Sequence, residues 1–544
     1  MAGEQGLAPG SKVHYGTNGM VASASPRATT VGLQVLQRGG NAFDAAMAVA
    51  SVEWLTLPGS CGLGGDVFAV FYDAKEDRVG AINGSGVSAL KASRDYYVSQ
   101  GLDKMPLDGW HAAAVPGASH AYDTLVRELG SMSMGELLAP AITYAKKGIV
   151  VDDKMSGAIS GAAKKLGKFA DSAAMYLPGG IAPRLGDTWV LSDLAQSIRT
   201  LAEEGSRPFY CGDIAAEIVR ASGQGGGIFG AEEFAEHKTD VYEPLHTNYR
   251  GVDVYETAPP SQGLIVLEWL NLMAGYDLRS LGSSSADAIH LLVEAKKLAF
   301  ADRLRYCGDP RFIDNPLVEL LSMAFAEKRR ETIDTKLAND EPVAGCLAEH
   351  SGDTSYFAVA DGMGNAISFI HSLSAGFGSG VVAGRTGIVL NNRAGRGFSL
   401  DEGHPNVMAG GKKTMHTLNC YLMMRDGQLY VVGGTPGGDR QPQWNVQAIT
   451  NLIDFGMNVQ EAVEAPRWMS WPGSDPAVID TPFELRLEDR IGSDVVRDLE
   501  QRGHRVCAMG DWGGGGAVQL IMRDENGTLL GGSDPRAGGV ALGF

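Results

Sequence analysis

Apolar residues between Tyr356 and Ile370 fall in two short runs. Tyr356, Phe357 and Val359 form the first, and Ile367, Phe369 and Ile370 the second, with Asp361-Gly362-Met363-Gly364-Asn365 between them. β-Favouring residues on either side of a glycine- and asparagine-rich break predict a hairpin over Thr354–Leu373. The same signals predict a hairpin from Val67–Tyr72 and Arg78–Ile82, and strands at Tyr421–Met424, Leu429–Gly433, Val518–Met522 and Leu529–Gly532. Elsewhere a helical period takes over. Ala28–Arg38 reads as a helix stopped by Gly39-Gly40, and Asn41 is placed to cap a second helix beginning Ala42-Phe43-Asp44. The stretch from Met134 to about Arg305 is expected to be mainly helical. Its clearest piece is Asp287–Arg305, with Ile289, Leu292, Val293, Leu298 and Phe300 at helical spacing. Pro259-Pro260 predicts a turn. Strand-rich ends around a helical middle predict an α/β layered architecture of stacked sheets covered by helices.

Composition narrows the function classes. The 544 residues, 44% hydrophobic and 20% charged, can bury a large core. A formal net charge of -18 removes the basic face a nucleic-acid partner would need. No apolar stretch approaches the length of a membrane span. The opening "MAGEQGLAPGSKVHYG" has neither a basic n-region nor an apolar h-region, so a cytoplasmic protein is expected. The six cysteines are scattered without a CxxC pair and read as free, buried thiols. Clustered zinc ligands are absent from the sequence, and no metal or cofactor is expected. Glycine-rich loops at Gly62-Leu63-Gly64-Gly65 and Gly513–Gly516 would let backbone approach backbone or ligand.

Familiar catalytic signatures are missing: there is no G-x-S-x-G, no HExxH and no GxxxxGK[ST]. Thr354 draws notice because it stands where the first hairpin strand begins, after Asp353. A threonine hydroxyl is a poor nucleophile without an adjacent base. An N-terminal threonine carries one in its α-amino group, whose pKa of about 7.7–8.0 suits neutral pH. Attack of the Thr354 hydroxyl on the Asp353 carbonyl would free that amine. The cut would leave residues 1–353 and a piece of 544 − 353 = 191 residues starting at Thr354. On the residues alone, a threonine at a strand start reads first as an ordinary structural choice. Gly433-Gly434-Thr435-Pro436-Gly437-Gly438-Asp439-Arg440 follows a strand, and its N–H groups could face an oxyanion or simply make a tight turn.

These motifs, taken in order, resemble the γ-glutamyltransferase family of N-terminal-nucleophile hydrolases. The resemblance covers nearly the whole chain. It runs through "GMVASASPRATTVGLQVLQRGGNAFDAAMAVA", "GLGGD", "AVPG", "LLAPAITYAKKGIVV" and "APPSQG". In the last third it continues through "DTSYFAVADGMGNAIS", "FGSG", "TGIVLNN", "GGTPGGDRQ", "DFGMNVQEAVEAPRW" and "GGSDPR". It implies a four-layer αββα sandwich in which both pieces interweave as one domain, self-cleavage before Thr354, and an acyl-enzyme on Thr354. Gly437 and Gly438 fall on the family's oxyanion pair, and Ser372 where the family has a second threonine.

Departures from the family pattern bear on substrate. Glutamyl-specific members hold the substrate α-carboxylate with an arginine in the early strand-loop; Asn83-Gly84-Ser85-Gly86 has none. Where those members follow paired asparagines with a glutamine and acidic residues, Asn391-Asn392 leads into Arg393-Ala394-Gly395-Arg396. Their consecutive serines fall at His416-Thr417. The pattern is closer to the branch of oxamate amidohydrolase and cephalosporin-acylase-like proteins. Arg393, Arg396, Ser374, Asn392, His416, Thr417 and Asp439 are the substrate-binding candidates, with structural pairing of Arg393 and Arg396 to Asp401 or Glu402 as the other reading. The expected activity is hydrolysis of an amide whose acyl group bears a carboxylate. The expected partners are that small substrate and the chain's own cleaved piece, as a heterodimer or a dimer of heterodimers. A true γ-glutamyltransferase and an unprocessed binding homologue are the alternatives.

Overall fold

Ser355–Asp361 and Ala366–Ser372 form the predicted hairpin at the centre of a seven-stranded antiparallel sheet. This computed structural model describes residues 12–339, 354–472 and 482–544. Strand order in the first sheet is Val540–Gly543, Gly19–Ser23, Ser355–Asp361, Ala366–Ser372, Asp66–Asp73, Arg78–Gly84 and Asp240–Tyr242. A second antiparallel sheet runs His14–Gly16, Leu529–Ser533, Gln519–Arg523, Gln428–Gly434, Tyr421–Arg425, Val252–Glu256 and Leu245–Tyr249. In both, strands from before and after residue 354 lie side by side.

The period of two explains why the central hairpin is buried on both faces. Phe357, Val359, Ile367 and Phe369 join a core shared with helices Pro26–Gln37 and Ala42–Thr56. Tyr356, Ala358, Ala360 and Ile370 point the other way, against Leu422, Val432 and Ile521 of the second sheet. That sheet's outer face packs on helices Gly263–Met273, Ala286–Tyr306 and Arg440–Ile453. The layers are therefore helix, sheet, sheet, helix, the αββα sandwich.

Local signals place most elements. Ser25 caps helix Pro26–Gln37, and Gly39 follows it at φ +90°. Asn41 and Asp44 form a reciprocal capping box on helix Ala42–Thr56, every residue of which is buried. The segment expected to be mainly helical from Met134 also contains Asp240–Tyr242, Leu245–Tyr249 and Val252–Glu256. These strands are short and polar, and two of them lie at sheet edges, so their apolar alternation is thin. The signal that locates their hairpin is Arg250-Gly251, both at positive φ, +54° and +83°. Among the described residues no cysteine is disulfide-bonded. Cys61, Cys307 and Cys420 are buried as expected; Cys211 is exposed and Cys507 partly so, and Cys346 lies outside the described residues. No described helix is long and apolar enough to cross a membrane.

Candidate active site

Thr354 immediately precedes the first strand of the central hairpin, and Ser372 is the last residue of the second. Ser355 pairs with His371, so Thr354 and Ser372 meet at the sheet's end. Thr354 Oγ1 is 3.0 Å from Ser372 Oγ, and both residues are buried. The Ser374 N–H donates to Ser372 Oγ at 2.8 Å. Ser374 holds a φ of +84°, and its buried Oγ has no partner among the described residues. Asp353, the other half of the expected cleavage point, lies outside the described residues.

The loop Gly62–Gly65 approaches this end closely enough to require glycine. A Cβ on Gly65 would come within 2.3 Å of the Ser372 carbonyl oxygen, and one on Gly64 within 2.0 Å of that of Val389. Asn391 ties the same loop down: its amide donates to the Gly64 carbonyl, and its Oδ1 accepts from Ala114 N–H and Arg393 N–H. Asn392, a substrate-binding candidate, is committed to backbone. It accepts from Ala375 N–H and donates to the Leu107 carbonyl.

Arg393 is buried, but its partner is neither Asp401 nor Glu402. Its Nε donates to Asp66 Oδ2 at 3.3 Å, while Glu402 pairs with Arg94 and Asp401 accepts from Ser399. Asp66 is wholly buried and also accepts from Gly86 N–H. Burial pushes its carboxyl above the ordinary range, with the Arg393 guanidinium pulling it back. Burial likewise lowers the Arg393 pKa against the pull of Asp66. Arg393 Nη1 lies 3.5 Å from Thr417 Oγ1, and Nη2 is buried without a partner among the described residues. Arg396 Nη1 donates to the Ser374 carbonyl at 2.9 Å. His416 is buried against the Phe68 ring, its Nε2 3.9 Å from Asp66. Among the described residues neither of its ring nitrogens has a hydrogen-bond partner. Burial, with Arg393 and Lys413 nearby, drives its pKa well below the usual value, so the imidazole is neutral near pH 7.

Gly437 and Gly438 connect strand Gln428–Gly434 to helix Arg440–Ile453 at φ +142° and +60°. Among the described residues neither N–H has an acceptor. A buried network tethers this turn. Gln262 Nε2 donates to the carbonyls of Thr417, at 2.5 Å, and Gly438, at 3.1 Å. Arg303, fully buried, donates to Gln262 Oε1 and pairs with Asp439 Oδ1 at 2.5 Å. Asp439 is thus engaged by a cation of the long helix Ala286–Tyr306. Asp66, Gln262 and Arg303 went unread in the sequence. Asp66 ends a glycine loop, Gln262 stands at the start of a helix and Arg303 lies among other charged residues of the long helix, and only their contacts mark them.

Among the described residues, a cluster of His290, Glu294 and His504, away from the hairpin's end, offers three metal-ligating atoms within 4.8 Å of one another. It is internally satisfied, since His290 contacts His504 and the Asp334 carbonyl while Glu294 accepts from Lys297. A separate cavity of about 450 Å³ is lined by Asn83, His237, Asp240, Pro260, Arg311 and Lys413, and by none of the site candidates above.

The sequence model for Gamma-glutamyltranspeptidase matches residues 28–544. The chain is 37% identical over 542 residues to the glutathione hydrolase-like YwrD proenzyme of Bacillus subtilis, covering 98% of this chain and all of that one. It is 32% identical to the oxamate amidohydrolase proenzyme of Klebsiella pneumoniae, covering 97% and 99%. The cephalosporin acylase of Bacillus halodurans superposes with a TM-score of 0.91 at 34% identity, covering 100% of this chain and 99% of that one. An αββα sandwich with these relatives along its full length marks an amide-cleaving enzyme: the chain belongs to the gamma-glutamyltranspeptidase family.

Proposed function

We propose that this enzyme is an N-terminal-threonine amidohydrolase that matures by cutting itself before Thr354 and prefers an acyl group bearing a carboxylate. In this reading the Thr354 hydroxyl first attacks the Asp353 carbonyl; breaking the Asp353–Thr354 C–N bond frees the α-amine and leaves an ester, and water hydrolyses that ester to release the Asp353 carboxylate and the Thr354 hydroxyl. In turnover, Thr354 Oγ attacks the substrate carbonyl and the α-amine takes its proton. The Gly437 and Gly438 N–H groups, unpaired among the described residues, receive the oxyanion. The amine returns the proton to the leaving nitrogen as the C–N bond breaks. Water, deprotonated by the same amine, then releases the acid and regenerates the hydroxyl. Ser372 Oγ, 3.0 Å from Thr354 Oγ1, holds the hydroxyl in place.

The observation that carries the substrate class is Arg393 Nη2, buried and unpaired among the described residues, where Ser374 Oγ and the His416 nitrogens are also unpaired. Buried donors without partners cost stability, and a ligand that satisfies them explains their presence. A carboxylate suits a guanidinium N–H, whereas an ammonium there would meet like charge. Proenzyme names among the relatives support maturation by cleavage. A γ-glutamyl donor is the second reading. Asp66 favours it, as an acid beside Arg393 that could face the donor's ammonium.

Intact mass spectrometry tests the cleavage, and kcat/KM for oxamyl, glutaryl, γ-glutamyl and neutral acyl amides tests the substrate class. A single uncut but active chain refutes the nucleophile. A clear preference for the γ-glutamyl donor refutes the carboxylate-without-ammonium preference.

A further inference from the structure

Directly behind the Thr354–Ser372 contact, three strands converge on one carboxylate. Glu53, fully buried in helix Ala42–Thr56, accepts from Ser23 Oγ at 2.5 Å through Oε1. Through Oε2 it accepts from Ser355 Oγ at 2.7 Å and His371 Nε2 at 2.8 Å. Ser355 and His371 are direct cross-strand partners, and each is the chain neighbour of a site residue, Thr354 or Ser372. Trp54 Nε1 donates to the Tyr122 hydroxyl at 3.1 Å; that hydroxyl lies 2.9 Å from His371 Nδ1, and His371 Nε2 lies 2.8 Å from Glu53 Oε2. The tautomer with its proton on Nε2 lets these bonds run in one direction, from Trp54 to Glu53. All six residues are buried. An acceptor-only carboxylate saturated by hydroxyl and imidazole donors is rigid, because moving any strand leaves a buried polar atom unpaired.

We infer that the Glu53–Ser355–His371 clip is a positioning device for the nucleophile, an inference that rests on the reading of Thr354 as a mature N-terminus. Before cleavage Thr354 is tethered on both sides. Afterwards it begins the chain, where termini fray unless tied down. Its side chain keeps the hydroxyl contact with Ser372, and its peptide bond links it to Ser355, whose side chain Glu53 holds. Displacing an attacking atom by about 1 Å costs on the order of 10²-fold in rate, so loosening this residue acts on the chemical step more than on substrate binding.

Ser355→Ala tests the clip, with Ser23→Ala as its comparison. Both remove a serine hydroxyl from the same carboxylate, but Ser23 lies on a strand without site residues. The preferred amide of the panel above is the substrate, and acyl-enzyme is followed by mass spectrometry of the fragment beginning at Thr354. Expected for Ser355→Ala is a kcat and acylation rate down about tenfold or more with KM within about twofold, and for Ser23→Ala a kcat within about twofold of wild type. Glu53→Gln, an isostere, repeats the Ser355→Ala pattern. Equal losses in the two serine variants, an unchanged kcat in Ser355→Ala or Glu53→Gln, or a change confined to KM would overturn the inference. Wild type that turns over without an adduct on Thr354 removes the nucleophile reading itself, whatever Ser355→Ala does.

Discussion

Thr354 Oγ1 sits 3.0 Å from Ser372 Oγ, across the ends of two strands whose register is fixed by Ser355 facing His371. The two residues are 18 apart in sequence, so the contact depends on the hairpin being built in this register. Slipping it by one residue would turn Thr354 to the other face of the sheet. Thr354→Ala should therefore leave a full-length, inactive chain on a denaturing gel and by intact mass. Thr354→Ser keeps a hydroxyl and should still be cut. Ser372→Ala should be cut and fold, but turn over more slowly.

Gly437 permits a different test, because its backbone and its surroundings both demand glycine. It sits at φ +142°, and a Cβ there would come within 2.6 Å of the Trp444 ring, itself buried. Gly437→Ala must shift the turn, displacing the N–H groups proposed for the oxyanion. Acylation should slow by about 10²–10³-fold, the usual effect of losing one such donor. Single-turnover kinetics on the matured enzyme separates this from a binding defect. A wild-type acylation rate would remove Gly437 from the oxyanion site.

Reading the chain before its fold succeeds where chemistry is local. The hairpin, the cap at Asn41 and the helix Ala286–Tyr306 all follow from adjacent residues and their spacing. It also places Thr354 at a strand start, because alternation and turn residues locate that strand. It fails where function depends on residues hundreds apart. Asp66 and Arg393 are 327 residues apart and Arg303 and Asp439 are 136 apart. Nothing in either neighbourhood marks the partner, so Asp401 and Glu402, close in sequence, looked the better match for Arg393. His371 and Glu53, 318 apart, illustrate the same limit. A histidine on a buried strand reads as packing until the carboxylate opposite is visible.

Acid should destabilise the fold through its buried histidines. Burial brings His237 and His504 down to about 3, from an ordinary value of 6.5. Between those values the unfolded chain binds protons that the native state does not. Their contribution to stability is thus complete above pH 6.5 and lost as pH falls toward 3. Each contributes a slope of at most about 1.4 kcal/mol per pH unit in that window. His237 stacks on the Tyr210 ring, so His237→Phe preserves the packing while removing the titration. Urea unfolding at pH 7, 5.5 and 4.5 should show a shallower loss for His237→Phe than for wild type. Parallel curves would mean that His237 takes up a proton in the native state as easily as in the unfolded one.

The Asp66–Arg393 pair offers the sharpest test of substrate class, and it needs both residues. Arg393→Gln removes the free Nη2 donor but also strands a buried carboxylate, and breaking such a pair typically costs about 3–5 kcal/mol. Loss of activity in that single variant would therefore say little. Asp66→Asn/Arg393→Gln replaces the ion pair with a neutral one of similar shape and should recover most of the lost stability. Its KM for a glutaryl or oxamyl amide should still rise, because a charge-assisted hydrogen bond worth about 1.5–3 kcal/mol is gone. For a neutral acyl amide, KM should change much less. Asp66→Asn alone keeps the guanidinium and removes the acid beside it. If Arg393 faces the acyl carboxylate, this variant should bind carboxylated amides at least as well as wild type. Should Asp66→Asn instead weaken γ-glutamyl donors selectively, Asp66 is an ammonium partner and the enzyme is a γ-glutamyl hydrolase with its charged groups rearranged.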